Sequence, residues 1–262
     1  MLCREIIEMI EKDYPLSYAL EWDNSGFLAG WDHKEVRRIY IALDATDDIV
    51  ERAVCADADM LVTHHPLIFS GQKSINNRSV LGRRLLRLIQ ADIACYSMHT
   101  NYDVCKMAQL SGEKMGFSGA QVLEVTCEGC DGETPMGIGQ VADLEAPVTL
   151  DECCRKVKEA FGLEHVKVFG EMGKTVQRIA VCPGSGKSVI DEAVRKQADV
   201  LVTGDIGHHE GIDAWDAGLA IIDAGHYGVE HIFISDMGDY LRQHLKDVEI
   251  ICAPVIHPFK IV

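Results

Sequence analysis

The segment that decides the fold is "RIYIALDATDDIVERAVCADADMLVTHH" (residues 38–65), because "RIAVCPGSGKSVIDEAVRKQADVLVTGD" (residues 178–205) repeats its pattern. The two segments align without a gap at an offset of 140 residues, so that Leu61-Val62-Thr63 falls on Leu201-Val202-Thr203. Each contains a short apolar run, a helix-like stretch and a second apolar run. The sequence therefore predicts an internal duplication of a strand–helix–strand unit.

The repeat extends to both sides of these segments. A helical pattern near residues 2–13 has a partner at 149–161, where Thr149 and Glu152 have the spacing of a capping box. The further matching runs are "GFLAG" (26–30) with "HVKVFG" (165–170), and "IACYSMHTNYD" (93–103) with "LAIIDAGHYGVE" (219–230). Short strands that alternate with helices predict an α/β fold, with one repeat in residues 1–125 and the other in residues 126–262.

Composition and charge exclude several classes of function. The chain has 262 residues, of which 47% are apolar and 25% charged, as in an ordinary globular protein. Its formal net charge of -16 disfavours binding to nucleic acid or to an anionic membrane surface. The start, "MLCREIIEMIEKDYP" (1–15), has the pattern of an amphipathic helix rather than a signal peptide, and no apolar run is long enough to span a membrane. We expect a cytoplasmic protein.

The chain contains ten cysteines, scattered through strand-like and helix-like runs. This distribution is typical of reduced cysteine in a cytosolic protein. Cys127 and Cys130 form a single Cys-x-x-Cys pair. We interpret the pair as structural or incidental to redox chemistry, with a metal or redox role as the alternative.

The stretch "VCPGSGKS" (181–188) ends like a phosphate-binding P-loop. A P-loop requires glycine at the position of Val181, and the other repeat carries "LDATDDIV" at the equivalent place. We therefore expect a strand-to-helix turn at Gly184–Gly186 that helps to shape a cleft, at a helix start that favours anions.

Histidines and acids follow the apolar strands, where an open α/β sheet builds its functional site. They are His64 and His65; His99 and Asp103; Asp205, His208, His209 and Glu210; and His226, Glu230 and His231. His226 and Glu230 are four residues apart at the start of a predicted helix and share one of its faces. Three imidazoles and two carboxylates exceed a closed structural zinc site and suit two divalent ions about 3.5–4 Å apart. Nitrogen and oxygen donors favour zinc, iron(II) or manganese.

Six motifs in order resemble the signatures of the NIF-three-like family, whose members are often labelled GTP cyclohydrolase I type 2 homologs. They are "EWDNSGFLAG" (21–30), "LVTHHPLIF" (61–69), "HTNYD" (99–103), "CPGSGKS" (182–188), "LVTGDIGHHE" (201–210) and "DAGHYGVE" (223–230). The chain is similar to the short form, which lacks a large central insertion. The resemblance implies two intertwined α/β repeats with mixed sheets flanked by helices, and a toroidal homohexamer.

The resemblance also implies a dinuclear metal site. The ligands carried over from the family's motifs are His64, His65, Asp103, His226 and Glu230. Asp103 is the expected bridge, since it is the only carboxylate in its segment. His99 and His209 lie outside this ligand set, and we expect them to orient ligands or to transfer protons.

The implied activity is metal-dependent hydrolysis of a small molecule, in which water attacks the imidazole carbon of a purine nucleotide such as GTP. Two alternatives stay open. One is phosphoester hydrolysis at the same two-metal site, and the other is a non-enzymatic regulator, carrier or scaffold that binds metal.

Overall fold

The computed structural model describes residues 1–129 and 132–262 and has the predicted α/β architecture, with two mixed β-sheets flanked by helices. The chain forms two compact units, each built from two segments. Unit 1 contains Met1–Tyr102 and Phe233–Val255, and unit 2 contains Asp103–Ile232 and Ile256–Val262. The division of the sequence duplication at residues 125 and 126 stays a prediction.

The strands are short, as the apolar runs predict. They are β1 (Gly26–Ala29), β2 (Arg38–Ala42), β3 (Met60–Thr63), β4 (Ala94–Ser97), β5 (Gln121–Glu128), β6 (Pro135–Thr149), β7 (Lys167–Phe169), β8 (Thr175–Ser185), β9 (Val200–Gly204), β10 (Ala220–Asp223) and β11 (Glu249–Cys252).

Helices alternate with these strands. They are α1 (Cys3–Asp13), α2 (Asp47–Cys55), α3 (Val80–Gln90), α4 (Thr100–Tyr102), α5 (Ala108–Lys114), α6 (Leu150–Phe161), α7 (Ile190–Arg195), α8 (His208–Asp216), α9 (His226–Glu230) and α10 (Ile232–His244). A π-helical turn (Asp103–Met107) lies between α4 and α5, and 3₁₀ turns cover Leu16–Tyr18 and Gly186–Val189. The described helices include none with the length and apolar character that crossing a membrane would take.

The two sheets share a set of four strands, three parallel and one antiparallel, which is how the duplication appears in three dimensions. The first sheet has the order β1-β4-β3-β2-β11, and the second has β5-β6-β8-β9-β10-β7. In the first sheet four parallel strands, β11, β2, β3 and β4, are followed by the antiparallel strand β1. In the second sheet three parallel strands, β8, β9 and β10, are followed by the antiparallel strand β7. The register repeats as well, since Tyr40 pairs with Leu61 and Ala180 pairs with Leu201.

The central strands are buried along their whole length, as expected for parallel strands covered on both faces. Strands β3, β4, β9 and β10 have no residue outside the buried class. Their apolar side chains pack in a separate core within each unit, around Leu61 in one and Leu201 in the other. The polar residues that follow these strands are therefore held at the ends of a rigid scaffold.

The predicted start of α6 is confirmed. Thr149 Oγ1 accepts a hydrogen bond from the Glu152 backbone N–H at 3.2 Å, and a Glu152 carboxylate oxygen accepts one from the Thr149 N–H at 2.8 Å. The single helix predicted after Gly225 is two helices in the structure. The first, α9, ends at Glu230, and the second, α10, begins at Ile232. The amphipathic pattern at the start of the chain forms α1.

One acidic residue in each repeat accepts hydrogen bonds from the backbone of the first parallel strand. Asp59 Oδ2 accepts the backbone N–H groups of Arg37 and Arg38 at 2.8 and 3.0 Å. Asp199, which lies 140 positions later, accepts those of Gln177 and Arg178 at 2.7 and 2.8 Å. Both acids immediately precede a buried strand, so they join two neighbouring strands.

We expect Asp199→Ala to lower the free energy of unfolding by about 2 kcal/mol, because two backbone N–H groups lose a charged acceptor. Asp199→Asn keeps an acceptor oxygen and should lose less. Urea denaturation measures the change. The control is Asp216→Ala, an exposed acid at the end of α8, which should stay within about 0.5 kcal/mol of the wild type. Equal effects of Asp199→Ala and Asp216→Ala would contradict the assignment.

Candidate metal centre

In unit 1 the predicted ligands His64 and His65 directly follow β3. The His64 and His65 backbone N–H groups bond to the Ala42 and Leu43 carbonyls at 3.3 and 2.9 Å, which continues the pairing with β2. Thr63 Oγ1 and Ser97 Oγ are 2.8 Å apart and join the ends of β3 and β4. The two histidines are therefore placed by the ends of neighbouring strands, as the sequence predicts.

His99 joins this pair, which was not part of the expected ligand set. One ring nitrogen from each of His64, His65 and His99 lies within 4.8 Å of the others. The centroid of the His64 ring is 5.0 Å from that of His65 and 5.3 Å from that of His99. Unit 1 thus contains a cluster of three imidazoles close enough to hold a metal ion.

Each ring in the cluster is oriented through its Nδ1 atom. His64 Nδ1 lies 2.7 Å from the Met98 carbonyl oxygen, and His65 Nδ1 lies 2.7 Å from a carboxylate oxygen of Asp44. A carbonyl or carboxylate oxygen can only accept, so the proton is on Nδ1 and the lone pair of the neutral ring is on Nε2. This is the arrangement that metal-binding histidines have in proteins.

His99 is oriented by Asp23, whose side chain is fully buried. The two side chains meet at 2.8 Å through His99 Nδ1. The second Asp23 oxygen accepts hydrogen bonds from the hydroxyls of Thr100 and Ser25 at 2.6 and 2.7 Å. Burial opposes ionisation of Asp23, but these hydrogen bonds outweigh it and hold its pKa well below the ordinary value. Asp23 is therefore a carboxylate that fixes the tautomer of His99.

In unit 2 the predicted ligands His226 and Glu230 lie on one face of α9. His226 Nε2 is 3.0 Å from Glu230 Oε2, and His226 Nδ1 is 2.8 Å from an Asp205 carboxylate oxygen. Two ligand atoms at tetrahedral angles on one zinc ion would be about 3.3 Å apart. The pair therefore has the spacing of two ligands of a single cation, with Asp205 orienting the ring.

Asp103 lies in the same neighbourhood of unit 2. It is the first residue of the π-helical turn, a feature that is frequent at functional sites. One of its carboxylate oxygens lies within 4.8 Å of one from Glu230. Burial raises the pKa of the Cys182 thiol, and the charges of Asp103, Glu124 and Glu230 raise it further. Cys182 is thus a thiol held neutral beside two predicted ligands.

The Glu230 carboxylate packs against the backbone of Gly184. Its φ angle is +80°, and a Cβ atom built there would collide with Glu230 Oε1 and lie 3.8 Å from His226 Nε2. The turn predicted between Gly184 and Gly186 is therefore a wall of the acidic site. Lys187, the residue that would reach phosphates in a P-loop, instead forms an ion pair with Glu210 at 2.6 Å.

The predicted proton-transfer residue His209 lies apart from these clusters. His209 is exposed near the start of α8, with its ring centroid 5.1 Å from that of His208. Across the part of the chain that the structure describes, no group of possible metal ligands includes His209. Cys127 is a half-buried free thiol, and Cys130 lies outside the described residues, so the interpretation of that pair stays a prediction.

Unit 2 also contains a cleft of about 750 Å³ beside Gly225, the residue that precedes His226. Its walls include residues 162–167 and the C-terminal segment after Val255. Lys167 forms an ion pair with Asp223 at 2.8 Å, and Lys260 makes no ion pair with any described residue. The cleft has room for a small molecule and offers a cation at its rim.

The Duf34/NIF3 (NGG1p interacting factor 3) family pattern matches residues 1–258. The chain belongs to this family. A Clostridium perfringens protein named "GTP cyclohydrolase 1 type 2 homolog" is 30% identical over 256 residues, covering 97% of this chain and 96% of the relative. The solved Bacillus cereus protein related to NIF3 superposes with a TM-score of 0.92 at 25% identity, covering 100% of this chain and 99% of its own. Reduced HcgD from Methanocaldococcus jannaschii superposes with a TM-score of 0.82 at 31% identity, covering 96% and 97% of the two chains.

Membership in the Duf34/NIF3 family confirms the resemblance seen in the motifs and extends it over nearly the whole chain. Sequence reasoning missed Asp23 and Asp44, which orient His99 and His65, and it named Asp205 without its role in orienting His226. Asp44 and Asp205 each follow an apolar strand, and Asp23 lies inside the motif "EWDNSGFLAG" (21–30). Their positions were visible as acids near strand ends, but their pairing with particular imidazoles was not.

We expect Gly184→Ala to lower the affinity for divalent metal by about tenfold or more, because the added methyl group displaces the Glu230 carboxylate. The left-handed backbone adds a stability loss of about 1–3 kcal/mol. Zinc titration calorimetry measures the affinity. Gly173→Ala is the control, since a Cβ there meets no atom within 4 Å and its φ is not positive. Wild-type zinc affinity in Gly184→Ala would show that Glu230 does not depend on this wall.

Proposed function

We propose that this protein binds two divalent metal ions per chain and hydrolyses a small molecule, in the manner of the GTP cyclohydrolase 1 type 2-like class. In this proposal water attacks the ring of a purine nucleotide such as GTP. The proposed metal ligands are His64, His65, Asp103, His226 and Glu230. Zinc, iron and manganese suit these nitrogen and oxygen donors.

The observation that carries the proposal is the grouping of oriented histidines with one another and with Glu230. His64, His65, His99 and His226 each direct Nδ1 at an oxygen acceptor. In His64 and His65 this leaves the lone pair of the neutral ring on Nε2, the atom that would bind a cation. His226 Nε2 lies 3.0 Å from Glu230 Oε2, which is the spacing of two ligands of one cation. The exposed His33 and His244 also direct Nδ1 at an oxygen, so this orientation by itself does not mark a metal centre. The grouping does, because ring nitrogens of His64, His65 and His99 lie within 4.8 Å of one another and His226 lies beside Glu230, so the donor set fits a metal centre.

Two bound cations would supply Lewis acidity and a water that ionises near neutral pH. The chain's own residues supply positioning and proton transfer. Asp23 holds the Nδ1–H of His99, so that His99 Nε2 can accept a proton and Asp23 can stabilise the resulting imidazolium. We retain His209 as a second proton-transfer residue, because its exposed ring can exchange protons with solvent.

The substrate class follows from the relatives' names and from charge. The name of the Clostridium perfringens relative refers to GTP cyclohydrolase. An anionic substrate needs local positive charge, because the chain carries a net charge of -16. The proposed cations would provide part of it, and Lys260 at the rim of the unit 2 cleft would provide more.

We further propose that the protein acts in the cytoplasm as a toroidal homohexamer, without nucleic acid or membrane as a partner. The basis is the family resemblance, together with the acidic composition. Analytical ultracentrifugation at several protein concentrations measures the assembly, and a monomer throughout would contradict this part of the proposal.

Elemental analysis tests the metal centre directly. We expect about two divalent ions per chain in protein purified without added metal. His64→Ala and Glu230→Ala should each lose most of this metal, since each removes a proposed ligand. His33→Ala is the matched control, because His33 is an exposed histidine of unit 1 outside the proposed set. Equal metal content in all four proteins would contradict the ligand assignment.

Turnover distinguishes the proposed reaction from its alternatives. Metal-loaded protein is incubated with GTP and with a generic phosphoester, and formate and phosphate are measured. Formate release from GTP that disappears in Glu230→Ala supports ring opening. Phosphate release with the same dependence favours phosphoester hydrolysis, and bound metal without turnover of either compound favours a non-enzymatic metal-binding protein.

A further inference from the structure

Two large aromatic side chains lie exposed and adjacent on the surface of unit 1. Trp22 and Phe69 are each 58% exposed, and their ring centroids are 5.9 Å apart at an interplanar angle of 43°. We call this pair the Trp22–Phe69 platform. Aromatic rings gain more than most side chains from burial, so an exposed pair marks a surface suited to an apolar partner.

The Trp22–Phe69 platform is held in place by hydrogen bonds of the neighbouring residues. Asp23, next to Trp22 in the chain, has a buried side chain and accepts the Thr100 backbone N–H at 3.0 Å. Asn24 Nδ2 donates to the Ile68 carbonyl, next to Phe69, at 2.5 Å. The two rings therefore belong to segments that are tied together. A surface fixed before binding loses less conformational entropy when a ligand arrives.

The platform borders the histidine cluster. The ring of Trp22 lies 5.7 Å from that of His99 at an interplanar angle of 73°. Asp23 links the two features, because it follows Trp22 and orients His99. A flat ligand bound on Trp22 would therefore lie near His99, one of the three imidazoles in the cluster of this unit.

We propose that the Trp22–Phe69 platform binds the planar heteroaromatic ring of the substrate by stacking, and so raises the affinity for ligands that carry a nucleobase-like ring. The inference rests on the proposed function and deepens it by assigning the ring-binding residues. Stacking on an indole tolerates any flat heteroaromatic ring, whereas the adjacent His99 offers a polar contact to the edge of that ring.

A protein partner is the competing occupant of the platform. Stable protein interfaces bury at least about 1,000 Å² in total, and two rings supply only a small part of that area. Their position beside a cluster of three imidazoles favours a small molecule, because chemistry at that cluster would need access for a substrate. The experiment includes the partner as an outcome.

Isothermal titration calorimetry on the protein as purified, with its bound metal, tests the proposal through binding rather than through activity. The probes are GTP, guanosine and inorganic triphosphate. We expect Trp22→Ala to weaken binding of GTP and guanosine by about tenfold, and Trp22→Phe to retain most of it, because phenylalanine preserves a stacking face. Triphosphate affinity should be the same in all variants, since that probe has no ring.

Trp31→Ala is the matched control. Trp31 is 63% exposed and lies 5.5 Å from the ring of His33, so it is also an exposed tryptophan beside a histidine, but outside the cluster. We expect no change in guanosine or GTP affinity in this variant. A loss equal to that of Trp22→Ala would overturn the proposal, because it would indicate a general effect of removing surface indoles.

The other outcomes also decide the question. Unchanged guanosine affinity in Trp22→Ala overturns the proposal, and a changed sedimentation coefficient in the same variant would assign the platform to a contact between proteins. Ring binding that depends on Trp22 in a protein with no turnover would sustain the platform while the proposed hydrolase fails. Turnover of GTP that is the same in Trp22→Ala as in the wild type would sustain the proposed hydrolase while the proposed platform fails.

Discussion

The hydrogen bond that each site histidine makes through Nδ1 is the interaction on which the rest of the site depends. Without it an imidazole rotates and exchanges its proton between two nitrogens, and its lone pair has no defined direction. Here Met98, Asp44, Asp23 and Asp205 supply the acceptors. Three of the four are carboxylates, which fix both the tautomer and the direction of the ring they hold. Some of the acidic side chains of this protein thus orient the imidazole rings of the site.

Two of these acceptors, Asp44 and Asp205, lie next to their histidines because each follows a strand that neighbours the strand before the histidine. Asp44 and His65 follow the neighbouring parallel strands β2 and β3, and Asp205 and His226 follow β9 and β10. Parallel strands in register end together, so residues far apart in the chain meet at their carboxyl ends. The duplicated topology gives each unit its own set of such ends. The same scaffold therefore yields an imidazole cluster in one unit and a histidine–carboxylate pair in the other.

The buried carboxylate of Glu230 in unit 2 depends on the residues and the backbone around it. Glu230 is buried, and a buried carboxylate is costly unless a cation or hydrogen bonds compensate its charge. His226 lies at 3.0 Å from it, and Gly184 leaves the space that its oxygen occupies. Burial and the charges of the neighbouring acids raise the pKa of the Cys182 thiol. This thiol therefore stays neutral and adds no further negative charge. The local chemistry is arranged to hold carboxylates where a cation would bind.

The sequence by itself determined the α/β class, the duplication and the positions of histidines and acids after the strands, because periodicity and spacing are local properties of the chain. The capping box at Thr149 and Glu152 was predictable for the same reason. Only the tertiary structure decided that His99 joins His64 and His65, that Asp44 and Asp205 orient particular rings, and that Gly184 packs against Glu230. Those pairings depend on side-chain directions set by contacts between residues 20 to 80 positions apart, roughly the length of one or two strand–helix units, and no local pattern encodes them.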